Sequence, residues 1–401
     1  MKRFIVLVLC ILLAAFPVSA KTVSMEYDAT DLNEPVSDSA VPTAGSITEL
    51  KIAAKSAVLM EVKTGEILYD CNMDEKTAPA SITKIMSLLL IMEAIDSGRL
   101  AYDTVITASE HACSMGGSQI WLEPNEQMTV DELLKAAVVA SANDATVALG
   151  EAVAGSEEGF VALMNKKAEE LGLINTHFEN CTGLDADGHL TSAHDVAVMS
   201  CELLKHEDIK KYTTIWMDSL RDGKSELVNT NKLVRFYEGC TGLKTGTTSL
   251  AGCCLAASAE RDGMELVAVI MDADNSKERF EGAKKLLNYG FANFTFKTIE
   301  AQLGENKNVK VLKGVQSFVE AQPENVLNLL MPKASTGDIT QTVEINGNIT
   351  APVKAGDNVG TVHVFSGDNE VGTISLTAAN DVGKMNILYA MYTLLVELIR
   401  I

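Results

Sequence analysis

The chain has 401 residues, enough for two or three domains, and its apolar fraction of 47% is typical of a globular protein rather than a disordered one. It carries 33 Lys and Arg residues against 54 Asp and Glu residues, a formal charge of −21, which excludes the basic footprint of a nucleic-acid-binding protein. Aromatic residues make up only 5%, which argues against a platform for stacking bases or sugars.

The N-terminus has the pattern of a secretory signal peptide. Lys2 and Arg3 precede a 13-residue apolar run, Phe4 to Phe16, which is too short to cross a bilayer. Small residues at 18–20 (Val-Ser-Ala) then provide a cleavage site, so residues 1–20 predict the signal peptide of an exported protein. An uncleaved N-terminal anchor is the alternative. Residues 21–50 are polar and acidic without any period, and they predict a flexible acidic lead.

Residues 51–297 combine strand and helix patterns. Alternating apolar residues around tight turns predict two hairpins, over residues 57–69 and 253–271. Helical periodicity predicts helices between them, at residues 82–97, 130–140, 142–154 and 158–171. Strands at both ends with helices between them favour an α+β domain, in which the N- and C-terminal segments share one antiparallel sheet packed on a helical body.

Residues 298–381 hold only short alternating runs that are separated by turn residues. The runs lie at residues 309–311, 343–345, 361–365 and 371–376. Their length and spacing predict a small all-β domain.

Residues 382–401 predict an amphipathic helix. Most of them are apolar, and Asn386, Thr393, Glu397 and Arg400 form one narrow polar stripe at helical spacing. The uninterrupted apolar stretches are too short to cross a membrane. Two interpretations remain open from the residues alone: a helix that lies in the membrane interface, or a terminal helix docked on its own core.

Ser81 and Lys84 form the only Ser-x-x-Lys pattern in the chain, at the start of the predicted helix 82–97. Residues three apart lie on one face of a helix. A lysine that is partly desolvated can lose its proton and act as base for a serine hydroxyl, and the backbone N–H of Ser81 can serve a developing oxyanion. Taken alone, the pair has an ordinary alternative, in which Ser81 caps the helix and Lys84 is solvated.

Two further short patterns carry chemically useful side chains. Ser141–Asn143 (Ser-Ala-Asn) lies between two predicted helices, where the hydroxyl can relay a proton and the amide can hold a peptide group, although an N-cap is the ordinary interpretation. In Lys244–Gly246 (Lys-Thr-Gly), just before the second hairpin, Lys and Thr can hold a carboxylate while Gly admits a substrate to the strand. Lys63–Gly65 has the same letters, but it fills a hairpin turn and we interpret it as a coincidence.

The order and spacing of these three patterns resemble those of the low-molecular-weight penicillin-binding proteins that are serine-type D-alanyl-D-alanine carboxypeptidases, with Ala142 where the penicillin-binding set has Asp. The resemblance implies a β-lactamase/transpeptidase-like catalytic domain, a small β domain that acts as a spacer, and a C-terminal membrane anchor at the outer face of the cytoplasmic membrane, or a secreted form. It covers nearly the whole chain and includes the stretches 175–178, 183–188, 192–195, 284–291 and 351–357.

The resemblance also implies a reaction and its residues. The terminal D-alanine of peptidoglycan stem pentapeptides is removed through an acyl-enzyme on Ser81, and β-lactams acylate the same serine. No cofactor, metal or nucleic-acid partner is implied, and membrane contact is implied for residues 384–401. The implied site residues are Ser81, Lys84, Ser141 and Asn143 for catalysis, and Lys244, Thr245, Gly246, Thr247 (a second oxyanion N–H) and Arg279 (an additional cation for the substrate carboxylate) for substrate binding.

Other classes fit these residues less well. A serine β-lactamase shares all three patterns but uses a Glu in an E-x-x-L-N loop, for which we expect no counterpart here. A non-catalytic penicillin-binding sensor or scaffold has no need of the complete Ser-Lys-Lys set. A Ser-His-Asp hydrolase requires a G-x-S-x-G elbow, which the chain lacks. The Asp and His residues at 185–195 do not have metal-ligand spacing, and we interpret them as a loop and helix cap.

The cysteines predict no zinc or thioredoxin-like site, because no two of them have the C-x-x-C spacing. The chain has eight Cys, and seven remain once Cys10 leaves with the signal peptide. An odd number cannot pair fully, so we expect mostly free thiols, although exported proteins usually pair theirs.

Overall fold

The computed structural model describes residues 50–335, 338–347 and 349–391, together with residue 395. The predicted signal peptide and the predicted lead up to residue 49 lie outside the described residues. So do residues 392–394 and 396–401 of the predicted C-terminal helix.

Within this part of the chain the helices are α1 (Lys84–Asp96), α2 (Glu110–Cys113), α3 (Val130–Val139), α4 (Asn143–Ala154), α5 (Glu157–Glu170), α6 (Ala193–Leu204), α7 (Lys210–Thr213), α8 (Leu233–Phe236) and α9 (Ser276–Asn293). The strands are β1 (Ser56–Glu61), β2 (Ile67–Cys71), β3 (Val105–Thr107), β4 (Gln127–Thr129), β5 (Met217–Leu220), β6 (Ser225–Val228), β7 (Cys240–Thr248), β8 (Gly252–Arg261), β9 (Met264–Ala273), β10 (Phe294–Ile299), β11 (Asn308–Leu312), β12 (Phe318–Pro323), β13 (Leu327–Pro332), β14 (Ile339–Ile345), β15 (Ile349–Thr350), β16 (Asn358–Ser366) and β17 (Asn369–Ala378).

The N-terminal part of the fold is built around a five-stranded antiparallel sheet with the strand order β2-β1-β9-β8-β7. Two strands come from the N-terminal hairpin and three from residues 240–273, so both predicted hairpins and their shared sheet are confirmed. The second hairpin turns at Asp262 and Gly263, whose φ angles are +50° and +77°. Positive φ at both positions matches the twist of the flanking strands.

This sheet separates two hydrophobic cores because its strands alternate between the two faces. On one face, Leu59 and Leu255 pack against α9. On the other face, Val58 and Val269 belong to the larger core that contains α1 and α6. Apolar residues lie on all sides of α1, so the helix is buried over most of its surface rather than amphipathic.

The chain enters α1 through a 3-10 turn, Ala80–Thr83, and the regular α-helix starts only at Lys84. The predicted helix 82–97 is therefore observed as α1, except that its first two residues, Ile82 and Thr83, belong to the 3-10 turn. Ala80 has a φ of +47°, a left-handed conformation that costs a residue with a Cβ atom roughly 1–2 kcal/mol. Two segments distant in sequence, around Gly183 and Gly246, pack closely against this turn.

The C-terminal part of the fold is all-β, as predicted. Strands β14-β16-β17-β12-β11-β15 form one sheet in that order, and β10 pairs with β13 in a separate ladder. Val362, Val364 and Ile374 are fully buried in the core of this part. The boundary that we place between residues 297 and 298 remains a prediction.

The start of the predicted C-terminal helix is exposed. Residues 387–391 are helical, and Asn386 caps them by accepting a hydrogen bond from the N–H of Tyr389 at 2.8 Å. The side chains of Ile387 and Leu388 are 78% and 75% exposed. None of the helices in the described residues is long and apolar enough to span a bilayer.

The cysteines in the described part of the chain are free thiols. They are Cys71, Cys113, Cys181, Cys201, Cys240, Cys253 and Cys254.

Candidate active site

The Ser81 hydroxyl and the Lys84 amine lie together at the entrance to α1. Lys84 Nζ is 3.0 Å from Ser81 Oγ, so the 3-10 turn brings the two side chains to the same face just as an α-helical turn does. Lys84 is completely buried, and its amine also donates to Asn143 Oδ1 at 2.6 Å and to the Thr182 carbonyl at 2.7 Å. The alternative of a capping serine beside a solvated lysine is wrong.

Burial changes the protonation of this lysine. Removal from water disfavours the ammonium form and lowers the pKa of Lys84 from 10.5 to about 7. The nearby Cys181 and Asp144 act in the opposite direction, with smaller effects. A substantial fraction of the amine is therefore neutral near pH 7 and able to accept a proton.

Ser141 and Asn143 come from the junction between α3 and α4. Ala142 is the N-cap of α4 and no side chain caps it, so the capping interpretation of this triplet is wrong. Asn143 Nδ2 donates to the Gly116 carbonyl at 2.7 Å, which fixes the amide so that its oxygen faces Lys84. The Ser141 hydroxyl is buried, and it has no hydrogen-bond partner among the described residues.

The edge strand β7 supplies Lys244, Thr245 and Gly246. A Cβ atom on Gly246 would lie 2.9 Å from the backbone nitrogen of Ser81, so only glycine allows the strand to pass this close to the serine turn. Burial, together with the positive charges of Lys84 and Arg279, holds the pKa of Lys244 well below its usual range.

Arg279 projects from α9 to the same strand. Its Nη1 donates to the Gly246 carbonyl at 3.1 Å and to Thr247 Oγ1 at 2.9 Å. Its guanidinium also lies over the ring of Phe280, 5.0 Å from the ring centroid. The site is thus lined by three buried basic side chains: Lys84, Lys244 and Arg279.

The structure adds residues that the three patterns do not include. The hydroxyls of Thr245 and Thr230 are hydrogen-bonded at 2.7 Å. The loop 180–184 provides the Thr182 carbonyl to Lys84. Gly183 lies so close that a Cβ atom there would be 1.8 Å from the Ala80 carbonyl oxygen. No sequence signal marks a backbone carbonyl as a ligand, so this contact was not predictable.

The second Lys-Thr-Gly triplet is structural. Thr64 donates to Glu61 Oε2 through both its N–H (2.7 Å) and its hydroxyl (2.8 Å), within the turn between β1 and β2. Its neighbour Lys63 lies over the ring of Phe296. The interpretation of this triplet as a coincidence agrees with these contacts.

The expectation that the chain has no E-x-x-L-N stretch is wrong, because Glu324 to Asn328 has this pattern. The stretch leads into β13 in the C-terminal part of the fold, where Glu324 N–H donates to the Ser375 carbonyl at 2.9 Å. Its contacts are with β strands, not with the serine turn, so it does not serve as the water-activating loop of a β-lactamase.

The Asp and His residues at 185–195 make structural contacts. His189 Nδ1 accepts from the Glu179 N–H at 2.9 Å and Nε2 lies 2.7 Å from Thr83 Oγ1, while burial lowers the pKa of this imidazole to about 4. Asp195 accepts from Asn175 N–H at 2.9 Å. Within the described residues no group of three or more His, Cys, Asp and Glu side chains is placed to hold a metal ion.

A serine hydroxyl hydrogen-bonded to a buried lysine, with two further basic side chains beside an edge strand, is an arrangement that suits acyl transfer through the serine. Comparison with known proteins gives the family. Residues 43–275 match the family model described as D-alanyl-D-alanine carboxypeptidase, and residues 295–384 match that of the penicillin-binding protein 5 C-terminal domain.

Individual relatives agree with the family match. The chain is 46% identical to the D-alanyl-D-alanine carboxypeptidase DacF of Bacillus subtilis over 338 residues, 83% of this chain and 87% of that protein. The structure of penicillin-binding protein 5 from Haemophilus influenzae superposes with a TM-score of 0.73 at 31% identity, over 83% of this chain and 98% of that one. Penicillin-binding protein D2 from Listeria monocytogenes, solved in its ampicillin-bound form, has a TM-score of 0.55 at 31% identity, over 60% of this chain and 99% of that one.

The chain therefore belongs to the D-alanyl-D-alanine carboxypeptidase family of low-molecular-weight penicillin-binding proteins. Its enzyme class is that of a serine-type peptidase, and the predicted α+β fold with an all-β C-terminal domain is confirmed.

Proposed function

We propose that this enzyme removes the terminal D-alanine from peptidoglycan stem pentapeptides through an acyl-enzyme on Ser81. The observation that carries the proposal is the contact between Ser81 Oγ and the fully buried amine of Lys84 at 3.0 Å. A serine hydroxyl is a weak nucleophile unless a base removes its proton, and a lysine with a pKa of about 7 is such a base.

In the acylation step, Ser81 Oγ attacks the carbonyl carbon of the D-Ala-D-Ala bond and its proton moves to Lys84 Nζ. The carbonyl oxygen becomes an oxyanion, for which the backbone N–H groups of Ser81 and Thr247 are the proposed donors. The closeness of β7 to the Ser81 nitrogen, which Gly246 permits, supports this pairing.

Collapse of the tetrahedral intermediate breaks the C–N bond. The leaving D-alanine nitrogen takes a proton, for which the unpartnered hydroxyl of Ser141 is the proposed relay from Lys84. Water then attacks the ester on Ser81. Lys84 Nζ takes a proton from this water and returns it to Ser81 Oγ as the C–O bond breaks, so the serine hydroxyl is restored and the shortened peptide leaves as a carboxylic acid, which ionises to the carboxylate.

The substrate ends in a carboxylate, and the proposed partners for it are Lys244, Thr245 and Arg279. Lys244 and Arg279 are both buried, and burial together with repulsion from Lys84 and Arg279 holds the pKa of Lys244 low. An incoming carboxylate compensates this repulsion, which favours binding of a peptide with a free C-terminus. A β-lactam, which also carries a carboxylate beside a reactive amide, is expected to acylate Ser81 in the same way.

Labelling with a fluorescent penicillin tests the nucleophile. The wild-type chain should be labelled and Ser81→Ala should not, whereas Ser97→Ala, at the far end of the same helix, should be labelled as well as the wild type. Equal labelling of Ser81→Ala would refute the assignment. The rival of a β-lactamase predicts rapid repeated turnover of nitrocefin without release of D-alanine.

We also propose that residues 384–401 hold the exported enzyme at the outer face of the cytoplasmic membrane. The exposed apolar side chains of Ile387, Leu388 and Met391 support a helix that buries this face in the lipid interface. Deletion of residues 384–401 should release the protein from membranes and leave peptidase activity intact. Sedimentation of the truncated protein with membranes would contradict the anchor.

A further inference from the structure

The loop 180–184 folds around the side chain of Asn180. Asn180 Oδ1 accepts hydrogen bonds from Gly183 N–H (2.7 Å), from the N–H and hydroxyl of Thr182 (both 3.1 Å) and from Leu184 N–H (3.2 Å). Its Nδ2 donates to the Leu184 carbonyl at 2.8 Å. Because a single amide satisfies four donors and one acceptor of the loop, its removal leaves the loop without its internal support.

The folded loop directs two consecutive carbonyls at α1. The Cys181 carbonyl accepts from Ser87 Oγ at 2.6 Å, and the Thr182 carbonyl accepts from Lys84 Nζ at 2.7 Å. Lys84 and Ser87 are three residues apart and therefore lie on one helix face. The missing Cβ atom of Gly183 lets the loop approach the Ala80 carbonyl. Thr182 is buried at this contact.

The partners of Lys84 determine where its lone pair lies. A neutral lysine amine has two hydrogens and one lone pair, arranged tetrahedrally. Asn143 Oδ1 and the Thr182 carbonyl oxygen can only accept hydrogen bonds, so each of them takes one of the two hydrogens. Ser81 Oγ is the remaining neighbour at hydrogen-bond distance, and the lone pair then faces its hydroxyl.

We propose that Asn180 is a positioning residue for the proton transfer. It holds the Thr182 carbonyl in the place where, together with Asn143, it takes both hydrogens of the neutral Lys84 amine and leaves the lone pair on Ser81. The inference rests on the proposed role of Lys84 as base. Displacement of a positioned group by about 1 Å can cost a reaction on the order of 100-fold in rate.

The test compares Asn180→Ala with Asn165→Ala, a control that also removes an asparagine side chain bonded to the backbone. The control residue is Asn165, which makes two hydrogen bonds with the backbone of Phe178, at 2.8 and 2.9 Å. Among the described residues, Asn165 makes no hydrogen bond to the loop 180–184. The measurement is the acylation rate constant at saturating fluorescent penicillin, per active site titrated, across pH 5–9. Normalisation by titrated sites removes any unfolded fraction.

Asn180→Ala should lower this rate constant at least about tenfold at every pH, and Asn165→Ala should leave it within about twofold. Asn180→Asp keeps the acceptor for all four donors, so it should recover most of the rate. The added carboxylate favours the ammonium form of Lys84, so it should move the midpoint of the acylation pH profile upward. This effect adds to those of the charged and titratable groups that already face Lys84, which are Asp144, Cys181 and Lys244.

A rate constant in Asn180→Ala equal to that of the wild type would overturn the inference, as would equal losses in Asn180→Ala and Asn165→Ala. Failure of the proposed function has a different signature. In that case the wild-type chain itself is not labelled, or is labelled equally after Ser81→Ala.

Discussion

The pH dependence of acylation tests whether the buried Lys84 amine is the base. In the folded protein, burial lowers the pKa of Lys84 to about 7, and only the neutral amine can take the Ser81 proton. Acylation is therefore fast above pH 7 and is lost as the pH falls through this value.

The size of the effect follows from the same pKa. With a midpoint at about 7, roughly half of the amine is neutral at pH 7, about 1% at pH 5 and about 90% at pH 8. The acylation rate constant should therefore fall about 90-fold between pH 8 and pH 5. A lysine at its usual pKa of 10.5 would instead give a rate that rises tenfold per pH unit to beyond pH 9.

The assay is stopped-flow acylation by a fluorescent penicillin at saturating concentration. Saturation separates the chemical step from binding of the carboxylate, which depends on the charge of Lys244. Circular dichroism at each pH verifies that the protein stays folded. A rate constant that is flat between pH 5 and 8, or that still rises tenfold per unit above pH 9, would refute a buried neutral lysine as the base.

Two substitutions test the packing around the site. Gly183→Ala should lower the acylation rate constant at least about tenfold, because its Cβ atom would lie 1.8 Å from the Ala80 carbonyl oxygen. The control is Gly155→Ala, because Gly155 also has a left-handed φ, +86°, but a Cβ atom there would meet no atom within 4 Å. This control should lower the stability of the protein and leave the acylation rate constant unchanged. Thr230→Val removes the hydroxyl that orients Thr245 and should raise KM for a D-Ala-D-Ala peptide roughly fivefold, about 1 kcal/mol, with little change in kcat; an unchanged KM would contradict this orientation.

Periodicity and turn chemistry predicted the elements that depend on local sequence. The predicted helix 130–140 is observed as Val130–Val139, and its start coincides with a capping box between Thr129 and Glu132. The hairpin 253–271 formed where the Asp262-Gly263 turn favours it. Such signals are carried by residues close together in the chain, so they are visible without the fold.

The serine turn depends on distant residues and was predicted less well. Ser81 and Lys84 have the same spacing in a 3-10 turn and in an α-helix, so the pattern cannot distinguish the two. The strained φ of Ala80 is held by close contact with Gly183 and Gly246, which lie far away in sequence. Only the folded chain brings these three segments together.

Some of the site residues could be identified from the sequence and others could not. The side chains of the three patterns were identifiable, because their order and spacing match a known family. Asn180 resembles an ordinary loop asparagine in the sequence, and the Thr182 carbonyl has no sequence signal at all. The stretch Glu324 to Asn328 illustrates the opposite error, since a pattern of letters in the β domain has no access to the serine turn.

The most direct test of the proposed reaction is release of D-alanine from a peptide that ends in D-Ala-D-Ala, with the same peptide ending in D-Ala-L-Ala as the control substrate. The wild-type chain should release one D-alanine per peptide and leave the control intact, and Ser81→Ala should release none. Release of D-alanine by Ser81→Ala, or no release by a wild-type chain that penicillin labels, would contradict a serine carboxypeptidase that acts through Ser81.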